Sequence, residues 1–159
     1  MIRTTGKIKG TWDAYILPDG VWLALPLIPP SQNQYLRWHW SKRKRYLDQL
    51  SRDMSLLAIS CRCPRFKSAT VHITYFFPDK RHRDKDNYNG KFLLDALRRA
   101  NILEDDRAEL LNLPQPEFEI DRHYPRTEIW ITAEDEQIPG ANICTSREKT
   151  EQPMYLQEF

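Results

Sequence analysis

Apolar residues cluster first at Tyr15-Ile16-Leu17 and again at Val21-Trp22-Leu23-Ala24-Leu25, with Pro18-Asp19-Gly20 between them. Two β-rich stretches around a proline-glycine turn predict a hairpin. Pro29-Pro30-Ser31 closes the second stretch, because proline cannot continue a ladder. Residues 32–40 read as a loop that enters a helix. Over 41–60 the apolar positions Leu47, Leu50, Met54, Leu57 and Ala58 recur with a 3.6-residue period, which predicts one long helix with a single core face. The run Val71-His72-Ile73-Thr74-Tyr75-Phe76-Phe77 is a strand by its β-branched and aromatic content, and Pro78-Asp79 ends it. A charged loop follows. Asn87 is the expected cap of a second helix whose core face is Leu93, Ala96, Leu97 and Ala100, with Asn101 in the left-handed position beyond its end. Residues 117–120 and 127–133 read as two further strands, joined as a hairpin. Periodicity stops at 135. The expected architecture is α+β: one domain over residues 1–134, a small mixed sheet packed with two main helices, an extra N-terminal strand over 12–20, and a disordered acidic tail over 135–159.

The chain has 159 residues, enough for one domain with a core of its own. Hydrophobic residues make up 40% and charged residues 29%, the balance of a soluble globular protein. The longest apolar stretch, over 21–30, falls far short of the ~20 residues that span a bilayer, so no membrane partner is expected. The opening Met-Ile-Arg-Thr-Thr-Gly-Lys has no apolar run, which predicts a cytoplasmic chain. Cys61, Cys63 and Cys144 are too few for a disulfide framework and lack zinc spacing. They read as free thiols of a reducing compartment. His39, His72, His82 and His123 form no metal-ligating pair.

Net charge is only +2, but it is unevenly distributed. Residues 37–107 hold 17 Lys and Arg against 9 Asp and Glu, whereas residues 108–159 hold 4 against 11. A basic middle followed by an acidic end suggests a footprint for a polyanion. Lys42, Arg43, Lys44 and Arg45 occupy the start of the long helix, where the helix dipole is already positive. Phosphate is the obvious compensating partner.

The informative stretch is Pro78-Asp79-Lys80-Arg81-His82-Arg83-Asp84-Lys85-Asp86-Asn87-Tyr88-Asn89-Gly90-Lys91. In extended backbone, Asp84 and Asp86 aim at one point. Asp105 and Asp106 follow at the far end of one short helix. Carboxylates gathered in one place repel, and a hard divalent cation removes that penalty. Oxygen-only donors select Mg2+, with Mn2+ as a substitute, over zinc. Such a site among cations suits phosphodiester chemistry. A calcium loop fits less well, since Tyr88 stands at its fifth position and Asp95 rather than Glu at its twelfth.

The pattern Asp84-Lys85-Asp86-Asn87, Lys91, Asp95-Ala96-Leu97 and Asp105-Asp106 resembles the RusA family of Holliday-junction resolvases. Pro29-Pro30-Ser31-Gln32-Asn33 and Arg37-Trp38-His39-Trp40 are similar to that family's N-terminal elements in their phage-type variant. The likeness covers roughly residues 21–133. It implies a RusA-like homodimer that resolves four-way DNA junctions by paired symmetric nicks, in recombination and repair. It also implies that Asp84, Asp86 and Asp106 hold the metal and that Lys91 is the catalytic lysine. The sequence departs from the family in one respect: three residues, Tyr88-Asn89-Gly90, stand between Asp86-Asn87 and Lys91 where two are usual, and Lys85 is the reserve. Candidate DNA contacts are Asn33, Arg37, His39, Lys42, Arg43, Lys44, Arg45, Arg81, Arg83, Lys85 and Asn87. Two other readings remain: a branched-DNA-binding protein that does not cut, and a metal-dependent nuclease on another substrate.

Overall fold

A computed structural model describes residues 11–104 and 110–134. It is an α+β fold in which a six-stranded mixed sheet carries its helices on one face. The expected hairpin is present as β1 (Asp13–Leu17) and β2 (Gly20–Leu25), paired antiparallel with Leu17 opposite Gly20. β2 ends at Leu25, immediately before Pro26.

Residues 32–40 are not a plain loop. α1 (Gln32–Arg37) forms there because the Ser31 side chain accepts the Gln34 amide and caps it. His39 then caps α2 (Trp40–Cys61) by accepting the Ser41 amide on Nδ1. α2 buries Leu50, Met54, Leu57 and Ala58 on one face, in agreement with the 3.6-residue pattern. It stops at Arg62, which is left-handed, with the Cys63 amide turned back to the Ala58 carbonyl at 2.9 Å.

β3 (Ala69–Phe77) is the centre of the sheet. Its alternate residues Val71, Ile73, Tyr75 and Phe77 join the core under the helices. β6 (Arg126–Ala133) runs antiparallel between β2 and β3, with Ile129 opposite both Leu23 and Ile73. On its other edge β3 pairs in parallel with β4 (Leu111–Asn112) and then with β5 (Glu117–Ile120).

This corrects the expected hairpin of 117–120 with 127–133, because β5 and β6 flank β3 on opposite sides. Alternating apolar content marks both as strands but does not say which edge each takes. Pairing with β3 packs half-buried Phe118 against Tyr75 and Phe77, which a two-stranded hairpin could not do.

α3 (Lys91–Arg99) buries Leu93, Ala96 and Leu97 and lies beside α2. Asn101 is left-handed beyond its end, as expected. Asn87 does not cap it. Asn87 sits in a 3-10 turn over Lys85–Tyr88, and the residue before α3 is Gly90 at φ 76. The Asn89 side chain accepts the Lys91 amide at 3.2 Å, so the capping bond comes from two residues further along than expected. Among the described residues no helix is long and apolar enough to cross a membrane. The expected tail, 135–159, lies outside the described residues.

Candidate functional site

The Asp84–Lys91 segment is anchored by packing before any chemistry is considered. Tyr88 enters an aromatic box, with ring centroids 5.6 Å from Tyr75, 5.3 Å from Phe77 and 5.7 Å from Phe118. Gly90 lies flat on β3: a Cβ there would sit 2.5 Å from Ile73 Cδ1, and its φ of +76° disfavours any other residue. The preceding loop is braced by Arg83. Its guanidinium donates to the carbonyls of Asp79 and Arg81, grips the Asp79 carboxylate at 2.7 Å and stacks 4.0 Å over Phe77. The Arg81 amide and then the Arg83 side chain hold the Asp79 carboxyl below its ordinary range. Arg83 is therefore committed to shaping the loop, whereas Arg81 is exposed, with only a 3.6 Å approach to Asp79.

Asp84 lies in extended backbone, as the alternation argument assumed, but Asp86 does not. Asp84 is the extended cap of the 3-10 turn, and its Oδ1 accepts the Asp86 amide at 3.1 Å. Asp86 is inside the turn. The local hydrogen bond between them outcompetes extension, a habit of short acidic residues. Both carboxylates are nevertheless exposed on one turn. Two exposed carboxylates with no thiol or imidazole suit a hard cation that keeps waters and meets substrate phosphate. Among the described residues no group of three metal-ligating side chains occurs. Asp105 and Asp106 lie outside the described residues. Their neighbours do not: Glu104 donates its amide to the Phe66 carbonyl, and the Leu110 carbonyl accepts the Ala69 amide. Those contacts are at the start of β3, while the Asp84 turn packs at its end.

Lys91 is exposed at the first position of α3. Asp95, one turn on, faces Arg98 at 3.8 Å. Lys85 reaches over the Phe118 ring, 5.7 Å from its centroid.

The fold joins this turn to the N-terminal motif, which sequence spacing alone could not do. Asn89 Nδ2 donates to Gln32 Oε1 at 3.0 Å, and Tyr35 of α1 stacks on Phe92 of α3 at 4.2 Å. Tyr35 and Trp38 then carry the basic helix start: Lys42 lies 4.1 Å over Trp38 and Arg43 lies 5.9 Å over Tyr35. The first turn of α2 contains no acid, so these cation–π contacts supply part of the compensation that the helix dipole requires. Lys44, Arg45, Arg37, Asn33 and His39 are exposed around the same corner. Beneath it Tyr46 is half-buried, and its buried hydroxyl has no hydrogen-bond partner among the described residues. Burial, and then the neighbouring Tyr35, push its phenol up to about 12.

Sequence reasoning missed three positioning residues, Tyr88, Gly90 and Asn89. Gly90 carried a legible signal, an isolated glycine next to a helix start. It also missed the ionic network on the opposite face. There Arg126, 3% exposed, binds Glu128 at 2.7 Å and Asp121 at 2.8 Å, and Trp22 donates to Glu128. The alternation Arg126-Thr127-Glu128-Ile129 was its only trace.

No family model matches the chain, and no curated protein matches it. Among solved structures, the periplasmic domain of Helicobacter pylori MotB aligns with a TM-score of 0.40 and 10% identity, over 83% of this chain and 88% of that one. A likeness at that level carries no argument about function.

Proposed function

We propose that the protein is a Mg2+-dependent, structure-selective endodeoxyribonuclease that resolves four-way junctions as a homodimer. The observation that carries this reading is the junction of two segments. The Asn89–Gln32 bond and the Tyr35–Phe92 stack set the cationic corner of α1 and α2 directly against the turn that exposes Asp84, Asp86 and Lys91. Acid for a hard cation and base for a phosphate backbone are then neighbours.

In this reading the cation, when bound, would lower the pKa of an attacking water and stabilise the charge that develops on the phosphoryl oxygens. Asp84 and Asp86 would hold it, with Mn2+ as a substitute. Lys91 neutralises charge at the cleaved bond. Arg37, Arg81, Lys44 and Arg45 bind backbone phosphates, which position without reading sequence. A two-fold dimer supplies two symmetric nicks. The third carboxylate of the reading is Asp106. In this reading it joins Asp84 and Asp86 either from the same copy or from the second copy of the dimer. A mixture of Asp86→Asn and Asp106→Asn chains tells these apart, since nicking returns only when the carboxylates belong to different copies.

The primary test is a synthetic four-way junction incubated with Mg2+. Symmetric nicks that disappear in Asp86→Asn support the reading. Tight junction binding without product would instead support a binding protein, and cleavage of linear or single-stranded DNA alone would support a nuclease of another substrate class.

A further inference from the structure

Two large apolar side chains of the cationic corner stand open to water: Trp40 is 65% exposed and Leu36 59%. The rings of the corner fall into two sets. Tyr35 and Trp38 pack inward. Tyr35 stacks on Phe92 at 4.2 Å, Trp38 meets Tyr46 edge-on at 5.5 Å, and the two rings lie 5.8 Å from each other. Both are half-buried, and each carries a cation, Arg43 over Tyr35 and Lys42 over Trp38. Trp40 is the outward ring. Its aromatic neighbour is His39, 5.5 Å away and tilted by 42°, and His39 is itself held by Ser41, whose Oγ lies 2.8 Å from Nδ1. Among the described residues no cation stacks on Trp40.

Clustered apolar surface open to water marks an interaction site, and here the surrounding charge says of what kind. No Asp or Glu occurs in the chain between Asp19 and Asp48. Arg37, Lys42, Lys44 and Arg45 are exposed around the same corner. Lys44 stands one helical turn beyond Trp40, hence on the same side of α2. An open aromatic face among cations matches unpaired DNA, in which every base has a free π-face and a phosphate beside it. Duplex DNA offers the phosphates but keeps its bases stacked, so it leaves the indole unused. An anionic lipid surface fits less well. It would bring like charge against the exposed Asp84 and Asp86, whose turn is tied to this corner through Asn89 and Gln32.

We propose that Trp40 is a stacking platform for an unpaired base, with Arg37 and Lys44 on the flanking phosphates, so that this corner takes up a single-stranded stretch of a branched DNA. The proposal rests on the reading above for DNA as the polymer, and extends it from duplex arms to unpaired nucleotides. Leu36, four residues before Trp40, adds apolar surface to the corner. Stacking tolerates any base, so the corner selects for loss of pairing rather than for sequence. The Asp84 turn then stands beside the place where pairing ends, which is where a branch-selective nuclease has to act.

The test measures binding of the full chain in EDTA, where metal-dependent nicking is off. The probes are a blunt duplex, the same duplex with a short single-stranded thymidine overhang, and that overhang with its bases removed to leave abasic sugars. The thymidine overhang should bind more tightly than the abasic one, although the two carry the same charge. Trp40→Ala should weaken binding to the thymidine overhang about 5- to 150-fold, the span of one lost base–aromatic stack, and should erase the difference between the overhangs. Trp40→Phe should keep most of that difference. Leu56→Ala, equally exposed but further along α2, should change neither affinity. Far-UV circular dichroism confirms that each variant retains its helix. Equal affinity for the two overhangs, Trp40→Ala binding like unmutated protein, or Trp40-dependent binding to phosphatidylserine vesicles with no preference for bases would each overturn the proposal. Junction nicking in Mg2+ alongside equal binding of the overhangs would sink this inference alone, whereas an overhang preference without nicking would sink the nuclease reading alone.

Discussion

Substituting Gly90 by alanine tests whether the candidate site is held in place by backbone packing. Two costs arise. An L residue at φ +76° costs about 1–2 kcal/mol. The new Cβ would also lie 2.5 Å from Ile73 Cδ1, and Ile73 is only 2% exposed, so it cannot swing into solvent. Forcing that side chain off its rotamer costs about 0.5–1.5 kcal/mol. The sum is roughly 1.5–3.5 kcal/mol, equivalent to a loss of about 3–14 °C in Tm for a chain of this size. Urea and thermal unfolding measure it directly. A double-mutant cycle separates the two costs, because Ile73→Val removes Cδ1. Gly90→Ala should be less harmful in the Ile73→Val background, with a coupling on the order of 1 kcal/mol. Gly90→Asn, which tolerates the left-handed region, should keep the steric cost and lose part of the torsional one. A loss under about 0.5 kcal/mol for Gly90→Ala, with no coupling to Ile73, would refute this account of how the turn is seated.

Three other outcomes are expected. Adding Mg2+ should raise the Tm of the unmutated protein, by about 2.7 kcal/mol of stabilisation at a hundredfold excess over Kd, and should do far less for Asp86→Asn; equal shifts in both would remove Asp86 from the metal site. Lys44→Gln with Arg45→Gln should flatten the slope of log K against log salt for junction binding by up to about 1.8, and an unchanged slope would take that corner off the DNA surface. Burial would raise the Asp121 carboxyl, but the Tyr124 amide, the Arg126 guanidinium and the His123 amide together hold it below its ordinary value. Its contribution to stability is thus present above pH ~4 and fades as pH falls through its folded pKa, so the stability gap between unmutated protein and Asp121→Asn should narrow in acid; a gap independent of pH would contradict this.

Much of the fold was legible in the residues themselves. The face formed by Leu50, Met54 and Leu57 marked α2, and alternation marked β3, because both periods follow from backbone geometry alone. Asn101 announced its left-handed turn, and it adopts one. Local signals failed where two local solutions compete. Asp86 could lie extended beside Asp84 or enter a turn that Asp84 caps, and it enters the turn. Asn87 and Asn89 both offer a capping side chain, and packing of Tyr88 and Gly90 against β3 favoured the second.

The order of strands belongs to the tertiary structure. Nothing in residues 117–120 says that β5 lies parallel to β3 rather than antiparallel to β6, since that choice depends on which edge buries Phe118. The same holds for the candidate site. The sequence determined which residues carry acid, base and aromatic surface, because side-chain chemistry is a property of each residue. Only the fold decided that Gln32 meets Asn89 across 57 positions of chain and that Arg83 is tied into its own loop. Such contacts depend on distances that chain connectivity leaves free until the core closes around them.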